Sequence, residues 1–261
     1  MSFQPFVPTG GLAGWRFLQS TMETQKAAHS KSPVIQRDLD YFREKIGQID
    51  TPEELVKDYR LLSVALGAFG LEEDLNSKHL IKRVLAEGVD DPKSLANKLS
   101  DKRYRDLSRA FGFGDFPVPN TKVSDFADKI EASYKDRKFE TDIGSTDETM
   151  RLALNAKREL AALGEGPESN RTKWFTLMGT PPLRKVMETA LNLPTSFGAL
   201  PIERQLDTFM ARAESRFGTA NLAELGKGET LDKVVDRFTI MAGMSNESVV
   251  TSPSLMLLRG Y

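Results

Sequence analysis

The sequence contains no cysteine and only two histidines in 261 residues. Without cysteine, the chain cannot form a disulfide, a thiolate zinc site, an iron–sulfur cluster or a cysteine nucleophile. Any catalysis or metal binding that needs histidine would have to use His29 or His79. Neither has a neighbouring histidine or a clear carboxylate partner in the sequence, so a structural or exposed position is the favoured interpretation for both.

An excess of charge of one sign is also missing. The chain has 36 Lys and Arg against 37 Asp and Glu, which gives a net charge of −1. This balance argues against a protein that binds duplex DNA, because such binding depends on clustered cations. The first residues lack the basic and apolar regions of a signal peptide. We therefore expect a cytoplasmic protein, unless it leaves the cell by a route that needs no cleaved signal.

Long apolar runs and nucleotide-binding loops are absent as well. The run LLSVALGAFGL has 11 residues, whereas a membrane-spanning helix needs about 20. Gly67 and Gly70 within it lack the preceding strand of a phosphate-binding loop. The segment GKGET at 226–230 lacks both the earlier glycine and the hydroxyl residue of a P-loop. The apolar run therefore indicates a buried helix, and no membrane span is predicted.

Helical spacing of apolar residues dominates the chain. A capping box at Thr51 and Glu54 begins a helix whose apolar stripe runs from Leu55 through Tyr59 to Phe69. No window alternates as a strand does. The other predicted helices lie at 12–29, 33–46, 77–87, from 91, 101–111, 122–140, 146–163, 180–191, 201–217 and 230–242. The sequence predicts an all-α protein, a compact domain of about ten helices.

Four Phe-Gly pairs, at 69–70, 111–112, 197–198 and 217–218, predict helix ends with a left-handed glycine. Two of them share more, because the triplet AFG begins at both 68 and 110, after helix starts at TPEEL (51–55) and DPKSL (91–95). One interpretation is an internal duplication of a helical unit. The other is coincidence, since caps use few residue types. Both stay open.

The loop FGFGDFPVPN at 111–120 predicts a boundary between subdomains. It divides the chain into a tail at 1–11, a first helical subdomain at 12–115, a second at 121–242 packed on the first, and a C-terminal tail at 243–261. The apolar run in that last tail is the candidate partner-binding segment, comprising Leu255, Met256, Leu257 and Leu258. It either packs on its own domain or docks into a partner as a short helix.

Other charged and aromatic clusters favour structural interpretations. Basic segments with aromatics at 102–105 and 135–139 resemble a platform for single-stranded nucleic acid, but acidic neighbours favour solvated helix faces. The acidic run 72–74 lacks the spacing of a calcium loop and suits the start of a helix. Trp174 is better explained as the anchor of a loop than as a binding patch. No catalytic, cofactor-binding or metal-binding residue is predicted, and no cofactor is expected.

Three stretches resemble a family of uncharacterised bacterial proteins that is common in alphaproteobacteria. They are DYRLLSVALGAFGLEED, then IKRVLAEGVDDPKSLANKLSDKRYRDLSRAFGF, then RTKWFTLMGTPPLRKVMETALNLP with ERQLDTFMARAESRFG. Some members of that family hold several copies of the unit, which implies a modular helical domain. Some are encoded among flagellar genes, which implies a flagellum-associated role by analogy. The resemblance implies no catalytic residues.

These observations predict a non-enzymatic structural or protein-interaction protein that has a protein partner. The resemblance implies, more specifically, an association with the flagellum. The alternative is an enzyme or small-molecule binder that uses Asp, Glu, Arg or Tyr. Single-stranded nucleic-acid binding is the less favoured third interpretation. Homo-oligomerisation stays open.

Overall fold

The computed structural model describes the backbone of residues 3–250 and the side chains of residues 3–244. Within them lie 14 α-helices, 11 of which have seven residues or more, and no strand. The helices are α1 Gly11–Ser30, α2 Pro33–Ile46, α3 Pro52–Lys57, α4 Tyr59–Phe69, α5 Lys78–Glu87, α6 Leu95–Lys98, α7 Arg103–Phe111, α8 Phe126–Gly144, α9 Glu148–Glu165, α10 Asn170–Met178, α11 Pro181–Ala190, α12 Ile202–Phe217, α13 Leu222–Leu225 and α14 Gly228–Val250. The predicted all-α class is confirmed.

The described chain forms two compact units. The first contains Met22–Asp142 and the described residues before Phe6, and the second contains Phe6–Thr21 and the described residues from Ile143 on. These bounds differ from the subdomains 12–115 and 121–242, because the first part of α8 packs into the core of the first unit. The division at 12–115 and 121–242, with the second subdomain packed on the first, stays a prediction.

Helices α2, α4, α5, α7 and α8 supply most of the core of the first unit. Phe42, Leu62 and Phe111 are completely buried there. The Phe111 ring stacks on Phe113 at 5.6 Å and meets Phe126 edge-on at 5.1 Å. Each such side chain contributes about 1.5–3 kcal/mol by leaving water, so this unit is held mainly by apolar burial.

The second unit has its own aromatic core around Phe209. Its ring stacks on Trp174 at 5.9 Å and meets Phe197 edge-on at 5.0 Å. The indole Nε1 of Trp174 donates to the carbonyl of Ala220 at 2.8 Å, which ties the loop before α13 to the core. The prediction that Trp174 anchors a loop is confirmed. The adjacent Lys173 is also buried, and its Nζ donates to the carbonyl of Gly164 at 2.7 Å.

The capping box at the start of α3 is confirmed. The Glu54 amide donates to Thr51 Oγ1 at 3.3 Å, and the Thr51 amide donates to Glu54 Oε2 at 3.2 Å. The continuous stripe predicted after it is wrong, since α3 ends at Lys57 and Asp58 caps a new helix. The restart changes the helical phase, so Tyr59 is 62% exposed.

Two apolar residues within the predicted helices 122–140 and 201–217 are also exposed, and both lie where a helix begins. Val123 precedes the first residue of α8, and Ile202 is the first residue of α12. Each is half exposed. At a helix start the preceding turn is missing, so the periodic pattern assigns the side chain to a face that has not yet formed.

Three of the four predicted glycine ends are confirmed. Gly70, Gly112 and Gly218 have φ of 70°, 66° and 79° and end α4, α7 and α12. The prediction for Phe197 and Gly198 is wrong, because both lie inside a 3₁₀ turn at Thr195–Ala199. The chain breaks between α8 and α9 after Gly144.

Helices α3–α4 and α6–α7 repeat one order of elements. Thr51 and Ser94 occupy the N-cap positions of the two short helices, and of the two only Thr51 accepts a capping hydrogen bond. Asp58 and Asp101 follow them, and each accepts from the amide two residues further on at 3.0 Å. Each longer helix then ends at a Phe-Gly pair. This shared order supports the duplication of a helical unit, with Ser94 rather than Asp91 as the equivalent of Thr51.

Candidate functional site

The predicted partner-binding segment, Leu255, Met256, Leu257 and Leu258, lies outside the described residues. Over the range that the structure describes, no helix has the length and apolarity to cross a bilayer. In the same range, no three His, Asp or Glu side chains come close enough together to hold a metal ion. The structure points instead to an exposed loop that sequence reasoning treated only as a boundary.

The α7–α8 loop, which we define as residues 112–123, displays three large apolar side chains. Phe116, Val118 and Val123 are 52%, 65% and 50% exposed. Single apolar residues scattered over a surface are normal, but several on one short loop are typical of an interaction site. The sequence signal was the alternation of these residues with glycine and proline, which resembles an ordinary linker.

The first half of the loop is fixed to the end of α5. Asp115 Oδ1 accepts from the amides of Val89 at 2.7 Å and Asp90 at 3.0 Å. This approach needs a glycine at position 88, where φ is 68° and a Cβ atom would lie 2.1 Å from Asp115 Oδ1. The carboxylate thus joins two segments that are far apart in the sequence.

The second half of the loop is fixed by three side chains. Asn120 Nδ2 donates to the carbonyl of Ala110 at 2.9 Å, at the end of α7. Thr121 Oγ1 donates to the carbonyl of Ile49 at 2.7 Å. Lys122 Nζ donates at 2.9 Å to another carbonyl between α2 and α3. Because both halves are anchored, a partner would bind the apolar side chains with little further loss of backbone entropy.

His29 and Asp142 form a pair that the sequence did not predict. His29 is 2% exposed, and its Nε2 lies 2.8 Å from Asp142 Oδ2. Lys138 Nζ donates to the same carboxylate at 2.5 Å. Burial alone would raise the pKa of Asp142, but the hydrogen bonds from His29 and Lys138 hold it below its usual value. A general acid would need the opposite shift, so Asp142 does not have the raised pKa of such a group. His79 is exposed, which is one of the two positions that the sequence favoured for it.

The end of α4 is closed by side chains from the start of α7. Arg103 Nη1 donates to the carbonyl of Gly70, and Asp101 holds the rest of the guanidinium at 2.6–3.1 Å. A cation at a helix C-terminus is favourable to the helix dipole. Tyr104 donates its hydroxyl to Asp74 at 2.7 Å, and burial followed by this bond raises the pKa of Tyr104 to about 12. The acidic run therefore serves internal contacts.

The two basic segments do meet near this helix end. A Cβ atom on Gly70 would lie 3.1 Å from Arg137 Nη1 and 3.6 Å from Arg103 Nη1. Their aromatic residues do not form a stacking face, because Tyr104 and Phe139 are both buried. Binding of single-stranded nucleic acid uses exposed rings as well as cations. The cations of the two segments therefore fit that interpretation, and their aromatic residues do not.

The comparisons with known proteins agree with the architecture. The model of a family described as a protein of unknown function, DUF1217, matches residues 68–229. A crystal structure of a protein from Agrobacterium tumefaciens is similar, with a TM-score of 0.76 and 26% identity over 93% of this chain and 99% of that chain. No protein of curated function matches. The family match covers more than half of the chain, which therefore belongs to the family of proteins of unknown function DUF1217.

Proposed function

We propose that the protein is a non-enzymatic interaction protein that binds a partner protein through the α7–α8 loop. The observation that carries the proposal is the exposure of Phe116, Val118 and Val123 on a loop anchored at both halves. Covering apolar surface contributes about 25 cal/mol per Å². Because the loop is already ordered, more of this free energy is left for association.

The test is an affinity isolation with the full chain from cells of the source organism. The double variant Phe116→Ser, Val118→Ser should lose a protein that the wild type retains. Val34→Ser is the matched control, because Val34 on α2 is also 52% exposed. Thermal unfolding should be unchanged in all variants. Capture of the same proteins by the loop variant and the wild type would refute the proposal.

We also propose, more specifically, that the protein is associated with the flagellum. The support for this association is the resemblance to family members that are encoded among flagellar genes, which is an analogy. We propose that the protein acts in the cytoplasm or, after signal-less export, on the flagellum itself. Unchanged motility of a deletion strain, with normal flagella in electron micrographs, would end this part and leave the interaction proposal intact.

The apolar C-terminal segment is a second proposed partner contact. Leu255, Met256, Leu257 and Leu258 are consecutive, and short apolar segments commonly dock into grooves of partner proteins. The variant Leu255→Ser, Leu257→Ser should weaken capture of the partner, whereas Ser254→Ala should not. Equal capture by both variants would remove this segment from the proposal.

The alternative, an enzyme or small-molecule binder, has less support. A catalytic acid is usually a carboxyl group whose pKa is raised. For Glu53 and Glu87, hydrogen bonds from Lys82 and Arg83 lower the pKa. Asp101, like Asp142, has a lowered pKa because hydrogen bonds from its basic partner outweigh the effect of burial. These shifts are typical of ion pairs that stabilise a fold.

A further inference from the structure

We infer that the partner segment bound by the α7–α8 loop is acidic and amphipathic, and that it also contacts a row of cations along α7. The row consists of Lys102, Arg105 and Arg109, and we call it the α7 cation row. The inference rests on the proposed function of the loop and adds the chemistry of its partner.

The row runs from Lys102, just before α7, through Arg105 to Arg109; Arg109 is exposed, whereas Lys102 and Arg105 are partly buried. Its members are three and four positions apart, which places them on one side of a helix. The residues that α7 buries are Tyr104, Leu107, Ser108 and Phe111. Between the first and last members the row spans about 10 Å of helix axis. A partner helix of about two turns is long enough to lie along it.

The row carries positive charge that nearby carboxylates do not neutralise. Among side chains 3–244, none of its three cations forms an ion pair, whereas the neighbouring Arg103 pairs with Asp101 at 2.6 Å. The buried Nε of Arg105 has no acceptor within the same residues. Asp106 is the single acidic residue of α7. The row therefore offers cations to carboxylates from outside.

Several other basic residues of the same unit form ion pairs. Lys26 pairs with Asp136 at 2.7 Å, and Lys138 pairs with Asp142 at 2.5 Å. Lys122, at the far end of the loop, pairs with Asp50 at 2.7 Å. Lys57, Lys78 and Lys93 are likewise without an ion pair among side chains 3–244, so what distinguishes the α7 cation row is the spacing of its members along one helix.

The apolar part of the surface begins where the row ends. Arg109 lies one turn before Gly112, and its carbonyl accepts from Asn120 Nδ2 at 3.4 Å. The Phe116 ring lies against Gly112, since a Cβ atom there would be 2.6 Å from Phe116 Cδ2. A segment crossing both regions would meet cations first and apolar side chains next. Complementarity then requires carboxylates and apolar residues on one face of the segment.

A nucleic acid would also be attracted to the cations, but the neighbouring surface suits it less. Binding of single strands uses several exposed rings on which successive bases stack. Here Phe116 is the ring beside the row, and its exposed neighbours Val118 and Val123 are aliphatic. Aliphatic side chains favour the apolar face of a protein segment.

Photocrosslinking in the full chain tests the inference. Benzoylphenylalanine is placed at position 116 or, as the control of equal exposure, at position 34, in cells of the source organism. Mass spectrometry of the crosslinked peptides should find, at 116 only, a segment with Asp or Glu and apolar residues at helical spacing. A basic or uncharged segment, a nucleic acid or another copy of this chain overturns the inference. No protein crosslink at 116 overturns the proposed function as well.

Charge reversal provides the second measurement. Arg105→Glu, Arg109→Glu should lower the crosslinking yield at position 116 about tenfold, because charges at the rim govern association. The control Lys129→Glu, Lys233→Glu changes the net charge equally at exposed sites and should leave the yield unchanged. If the double variant fails to fold, the single variant Arg109→Glu at an exposed site is used instead. It should lower the crosslinking yield about threefold. Equal yields in the row variants and the control overturn the inference.

Discussion

Replacing Gly112 by alanine tests how the α7–α8 loop is held in place. Gly112 has φ of 66° and ψ of 19°, a left-handed conformation that costs an L-residue about 1–2 kcal/mol. A Cβ atom would also lie 2.6 Å from Phe116 Cδ2 and 3.0 Å from Asn120 Nδ2. Both neighbours would have to move, and the hydrogen bond from Asn120 to Ala110 would be lost.

A reference glycine separates the cost of displacing Phe116 and Asn120 from the cost of the left-handed backbone. Gly218 has φ of 79°, and a Cβ atom there meets nothing within 4 Å. Gly218→Ala should therefore cost only the backbone term, about 1–2 kcal/mol. Gly112→Ala should cost about 1.5–3.5 kcal/mol, because the loss of a hydrogen bond worth about 0.5–1.5 kcal/mol is added to the backbone term. Native-state hydrogen exchange of amides in α7 and α12 measures each unit separately.

A double-mutant cycle decides whether Phe116 is the obstacle. Phe116→Ala alone should change the unfolding free energy by less than about 0.5 kcal/mol, because the ring is half exposed. In the Phe116→Ala background, Gly112→Ala should lower the unfolding free energy by less than it does in the wild type. The coupling free energy between the two substitutions should be about 0.5 kcal/mol or more. If Gly112→Ala costs no more than Gly218→Ala, or if the coupling is zero, the described loop conformation is wrong.

Three further substitutions test buried polar contacts. Asp142→Asn should lower the unfolding free energy in urea by about 1.5–3 kcal/mol at pH 7, because it weakens the bond to His29. Since the pKa of Asp142 is lowered, that advantage is present above about pH 4 and lost as the pH falls further; equal losses at pH 7 and pH 3 would contradict this. Tyr104→Phe should remove the phenol whose pKa is raised to about 12, as seen in an absorbance titration. Because the pKa is raised, the phenol stabilises the wild type fully below pH 10.0, and this stabilisation is lost as the pH rises to about 12. Trp174→Phe should cost about 2 kcal/mol in thermal unfolding, from a lost hydrogen bond and a small cavity, and a silent variant would contradict the buried position.

Local chemistry made most of the helices predictable. The capping box at Thr51 and the left-handed glycine at 112 depend on residues within one turn, and both were predicted correctly. The break at Asp58 was missed because its neighbours keep helical spacing on both sides. Aspartate competes for backbone amides and thereby favours caps over helix interiors. That preference is visible in the sequence, but it was outweighed by the apolar stripe.

The candidate site was much less predictable, because it depends on contacts between distant residues. Asp115 binds the amides of residues 89 and 90, and Thr121 reaches Ile49. Without these anchors the segment resembles a mobile linker, and its apolar residues have no special meaning. The pair of His29 and Asp142 is separated by 113 positions. Such contacts become visible only once the helices have been placed.

The ends of α4 and α7 are closed in different ways, and the difference bears on the partner contact proposed for the α7–α8 loop. The end of α4 is covered by the next unit of the repeated order, since Arg103 of α7 donates to the carbonyl of Gly70. The end of α7 is covered by its own loop, through Asn120, and Phe116 stays exposed beside Gly112. In repeat architectures each unit buries its face against the following one. On the proposed function, the α7–α8 loop, where the repeated order stops, is the face that a partner covers.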